Sequence, residues 1–124
     1  MMGLDELNRS VTSAILRAES LVPGSWEAER AFRDVADLEE EIASIVGART
    51  VEGEVARLGA VTAAMSAGDL LRAVQLAERY LVDALSDGAR AKLRELHVEA
   101  EAKIRRAAVG APDVDPVPFT LRAA

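Results

Sequence analysis

The chain predicts an all-α fold, about five antiparallel amphipathic helices in a bundle or in stacked hairpins, followed by an extended C-terminal arm. Three observations carry this. Leu4, Leu7, Val11, Ala14, Ala18 and Leu21 recur at alternating three- and four-residue spacings, and that rhythm returns in every later segment up to Val109. Turn residues break the rhythm at short intervals, which makes sequential helices antiparallel neighbours. Beyond Gly110, three prolines exclude helix.

Each helix has its own start and stop. Helix 1 is expected from Leu4 to Val22 and is halted by Pro23-Gly24-Ser25. Ser25 is placed to cap helix 2, whose first turn carries Glu27 and Glu29 at the positive end of its dipole. Ala28, Ala31, Phe32, Val35, Leu38, Ile42 and Ile45 form its inward stripe, up to Gly47. Trp26, at its very start, is expected to fix the incoming chain against a neighbouring helix. Helix 3 is expected to open at Thr50 and to bury Val51, Val55, Leu58, Thr62 and Met65. Gly53 and Gly59 weaken it, which points to close approach by another element.

Gly68-Asp69 supplies a stop and then a start for helix 4, with Leu70, Leu71, Val74, Ala77, Leu81, Ala84 and Leu85. Ser86-Asp87-Gly88 reads as a further break, although a continuous helix also fits. Helix 5 places Ala89, Leu93, Leu96, Ala100, Ile104 and Ala107 inward. Residues 30–44 overlay 72–86 without gaps, which favours stacked hairpins. The stretch Glu54 to Ser86 also resembles one tetratricopeptide-type hairpin, through Gly68-Asp69 at the turn, Ala73 and Leu81. It departs from that pattern in the position of Leu58-Gly59, in bulky Tyr80 and in having no closing proline, so the resemblance implies only two antiparallel helices.

A length of 124 residues gives one helical domain, 1–110, and the arm, 111–124. Half the residues are hydrophobic, but 24 of them are alanine, so large core-filling side chains are scarce and helix backbones can approach closely. Four aromatic residues are too few for base-stacking platforms. The net charge of -6 is concentrated in residues 1–50, where ten acids face five bases, which disfavours a nucleic-acid partner. The absence of cysteine removes disulfides and thiolate chemistry. No signal-like or membrane-length apolar run is present, so a cytoplasmic location is expected.

No constellation of nucleophile, base, phosphate loop or calcium loop stands out, and neither enzyme activity nor any cofactor or metal is expected. His97 is the sole histidine, and it would bind a metal with Glu101 only across a symmetric dimer; an ordinary surface or interface histidine is the expectation. Glu39, Glu40 and Glu41 point in three directions. Asp34, Asp37 and Glu41 share a face that would attract a basic partner. In the arm, Val117, Phe119 and Leu121 alternate and would lie on one side of an extended segment. The expected role is therefore a protein-binding adaptor or assembly subunit, homo-oligomeric or with another protein, with no nucleic acid and no membrane. Its arm would dock on a neighbouring subunit or partner through Val117, Phe119 and Leu121. Two alternatives are an acidic inhibitor or antitoxin-type protein that masks a basic enzyme, and a small helical enzyme or carrier with Tyr80 or His97 at the mouth of an apolar cavity.

Overall fold

In the computed structural model, which describes residues 2–110, the order is α1 (Leu4–Glu19), α2 (Trp26–Ile45), α3 (Val51–Ser66), α4 (Leu70–Leu81) and α5 (Asp87–Gly110). The all-helical architecture matches the periodicity, with boundaries set by side-chain caps. Ser25, Thr50 and Asp69 accept hydrogen bonds from the backbone N–H groups of Ala28, Gly53 and Arg72. Gly68, at φ +74°, closes α3, and the next N–H, that of Asp69, donates to Ala64 O at 2.9 Å. Val117, Phe119 and Leu121 lie outside the described residues.

The helices follow one another as antiparallel pairs, and α3 is central because it packs on α2, α4 and α5. The core is built mainly of alanine, with Leu7, Val61, Leu76 and Leu93 its largest fully buried side chains. Small side chains let α3 approach its neighbours. A methyl group at Gly53 would overlap the carbonyl oxygen of Gly47, and one at Gly59 would overlap the carboxylate of Glu39. Both glycines thus mark close contacts, as their presence inside a helix predicts.

The face of α3 is different from the expected one. Gly53, Ala56, Arg57, Ala60, Val61, Ala63 and Ala64 are buried, while Val51 and Val55 are exposed, Val51 at 79%. A helix flanked by several others turns its smallest residues toward the closest backbones, whatever its apolar period. Trp26 also departs from expectation. It is 63% exposed, because Ala28 and Ala31 take the inward positions of the first turns, and the Arg30 guanidinium lies 5.5 Å from its ring centroid.

Arg57 is the buried polar centre. Its Nε donates to Asp83 Oδ2 at 2.9 Å, Nη1 donates to the carbonyls of Val46 and Gly53, and Nη2 donates to that of Ala43. Ala43 and Val46 belong to the last turn and C-cap of α2, whose carbonyls lack partners within the helix, and a cation there also matches the negative end of the dipole. Arg90 acts similarly on α4, donating to Leu81 O and Asp83 O. This pair of arginines explains why α4 ends at Leu81 rather than running on through Leu85. Ser86 Oγ then accepts from Ala89 N in the first turn of α5, and Ser86 donates from N and Oγ to the carboxylate of Glu54.

Arg57→Ala would leave Asp83 and three carbonyls without their shared donor, a loss of about 3–5 kcal/mol. Urea denaturation is expected to show that loss with helical content intact in the surviving fold. Gly53→Ala should cost about 1–3 kcal/mol through overpacking against Gly47, whereas Gly88→Ala, with nothing among the described residues within 4 Å of the added methyl, should be neutral or mildly stabilising.

Candidate interaction site

The acidic face of α2 forms largely as drawn from the sequence, but arginines of the same chain occupy part of it. Asp34 pairs with Arg17 of α1 at 3.4 Å, with both side chains more than half exposed. Asp37 receives Arg72 Nη2 of α4 at 2.7 Å. Arg72 also bonds Glu40, through Nε at 2.9 Å and through Nη2, and Arg79 lies 3.6 Å from the same carboxylate. Glu41 is exposed. Asp34, Asp37 and Glu41 therefore stand on one surface, with two of the three already paired across helices. Glu40 and Asp37, rather than Glu41, are the carboxylates that tie α2 to α4.

The consecutive glutamates diverge as helical geometry requires, and Glu39 takes the inward direction. It is only 8% exposed, pressed against Gly59 of α3, and makes no hydrogen bond to the described residues. Burial without a partner raises its carboxyl to about 7. Sequence reasoning missed this group because its neighbours in the chain share its type. The only local hint was that Glu39 falls four residues after Val35 and three before Ile42, on the apolar stripe.

Tyr80 is buried beneath the Arg57 guanidinium, 5.6 Å from its ring centroid, beside a shallow depression of about 230 Å³ lined by Glu40, Arg79 and Asp83. That opening is ringed by charged side chains, unlike the apolar mouth a carrier would present. His97 sits between α4 and α5, with Nε2 3.0 Å from Glu78 and Nδ1 3.5 Å from Glu101.

Among the described residues, the outer side of α5 carries a stripe of small and apolar residues broken by two charges. Ala91, Glu95, Val98, Ala102, Arg105 and Val109 follow each other at spacings of four and three, and therefore lie along one stripe opposite the buried Leu93, Leu96 and Ala100. Val98 is 62% exposed and Val109 84%. Two open depressions lie on this stripe, one between Ala91, Arg94, Glu95 and Val98 and the other between Ala102, Arg105, Arg106 and Val109. Sequence reasoning sought the docking surface in the arm and on α2, and passed over this stripe because Glu95 and Arg105 interrupt it.

No protein-family model, curated protein or solved structure matches the chain.

Glu39 makes stability depend on pH. Its carboxyl titrates at 4.5 when unperturbed and at about 7 in the fold, so between those values the folded chain holds the extra proton. Its contribution is then complete below pH 4.5 and is lost as pH rises through 7. The loss is about 3 kcal/mol at most. Glu39→Gln is expected to be more stable than the parent at pH 8, with the difference closing toward pH 4.5 in paired urea titrations.

Proposed function

We propose that the chain is a non-enzymatic assembly subunit that pairs with a second copy of itself through the outer stripe of α5, the arm that follows α5 adding contacts through Val117, Phe119 and Leu121. The stripe is the single observation that carries this reading. Two such helices set antiparallel about their middles would oppose Ala91 with Val109, Glu95 with Arg105, and Val98 with Ala102. The apolar pairs meet small against large, and the one charged layer meets acid with base. The two depressions of one copy would receive Val98 and Val109 of the other. At about 36 Å, α5 is long enough for all three kinds of layer to form twice across the two-fold axis.

The arm supports the same reading from the sequence alone, since it follows the last turn of α5 directly and carries an alternating apolar row. The α2 face with Asp34, Asp37 and Glu41 is the runner-up surface, suited to a basic partner. Its pairing with Arg17 and Arg72 reduces the charge left for such a partner.

Light scattering after size exclusion is expected to give twice the 13.2 kDa chain mass at tens of micromolar protein. Glu95→Arg should shift the mass toward the single chain, and adding Arg105→Glu should restore the pair. Removal of residues 112–124 should weaken association while helicity stays intact. A single-chain mass for the parent protein, or identical behaviour of the single and double charge variants, would overturn the α5 pairing. An unchanged mass without the arm would overturn the arm's part in it.

A further inference from the structure

We infer that Glu78, His97 and Glu101 form a divalent-metal site within one chain, suited to zinc, that joins α4 to α5. The three side chains each offer one ligand atom within 4.8 Å of the other two. They come from elements whose relative position is fixed nearby, because Arg90 of α5 clasps the carbonyls at the end of α4. His97 and Glu101 are one turn apart on α5, and Glu78 reaches the ring from α4. The sequence offered only the His97–Glu101 pair, and the third ligand is a product of helix packing.

The hydrogen-bonding capacity of the ring leaves room for a cation. A carboxylate lies beside each ring nitrogen, Glu78 at Nε2 and Glu101 at Nδ1. A neutral imidazole has one N–H and one lone pair, so it donates to one carboxylate and turns its lone pair toward the other. A metal ion bound to the free nitrogen supplies a positive centre for the carboxylate on that side, and the other carboxylate, exposed and on a long side chain, can swing round to join it. Imidazole nitrogen and carboxylate oxygen are both zinc ligands, and water can complete a tetrahedral set of four, whereas calcium and magnesium prefer sites made of oxygen alone. The imidazole is mostly buried while the carboxylates are more exposed, at 20% for His97 against 59% for Glu78 and 44% for Glu101. The ring is therefore anchored, and the two carboxylates can close to the bond lengths of about 2.0–2.2 Å that zinc requires.

The test uses the untagged full chain and zinc chloride at pH 7.5. His97 is the only histidine, so the imidazole proton resonances report this site alone. Zinc is expected to shift them with a stoichiometry of one ion per chain and a Kd below about 100 µM, and to raise the melting temperature. His97→Gln should abolish the rise in melting temperature, and Glu78→Gln and Glu101→Gln should each weaken binding by at least about tenfold. Circular dichroism of the three variants without metal, expected to match the parent, separates loss of a ligand from loss of fold. The proposal is overturned if the imidazole resonances stay unmoved at about 1 mM zinc, if the Glu78→Gln/Glu101→Gln double variant binds as tightly as the parent, or if one ion is bound per two chains.

Discussion

A single guanidinium, that of Arg57, holds together three parts of the chain that are far apart in sequence. It ends α2 by taking the carbonyls of Ala43 and Val46, it sits within α3, and it reaches Asp83 in the segment that separates α4 from α5. A buried charge survives only when its desolvation is offset by good hydrogen bonds, and here all three nitrogens of the group have acceptors. The direction of α2 into α3 and the break after α4 are both tied to this side chain. The buried Tyr80 ring packs against one face of the guanidinium.

Around that point the fold depends on small residues. With few large aliphatic side chains to bury, the chain gains contact by letting backbones come close, through alanine and through Gly53 and Gly59 on α3. The same closeness forces Glu39 against the backbone of α3 with no partner, so a compact interface coexists with an unfavourable buried acid. Larger apolar groups that cannot enter so narrow an interface, such as Val51 and Val55, are left at the surface. Polar ties across helices, chiefly Arg72 with Asp37 and Glu40, supplement a core of limited volume.

Much of the fold was legible in the residues. Ser25, Thr50, Gly68 and Asp69 announced their turns because capping is a local matter, settled within four residues of chain. The stripe of α1, and that of α5 as far as Ala100, were legible because each of these helices packs along one side there, whereas Ala107, also expected inward, is exposed. The buried face of α3 was not, because a helix among several partners has no single dry side and residue size outranks apolarity. Trp26 was misplaced for a related reason: its type favours burial, but its position on the turn faces outward. The surfaces were less legible still. Asp34, Asp37 and Glu41 were found together from spacing, yet their pairing with Arg17 and Arg72 required helices that are distant in sequence.

By itself the sequence determined the helices, their order, most of their ends and the scarcity of bulky core material, since these follow from periodicity, capping and composition along a short stretch of chain. The tertiary structure alone decided which carboxylate lies buried, which arginine caps which helix, and which three side chains meet around His97. Those outcomes depend on contacts between residues 7 to 32 positions apart on different elements, such as Arg90 with Asp83, Glu78 with His97 and Arg72 with Glu40. Spacing along one helix cannot encode such contacts, because they are set by the distance and rotation at which two helices pack.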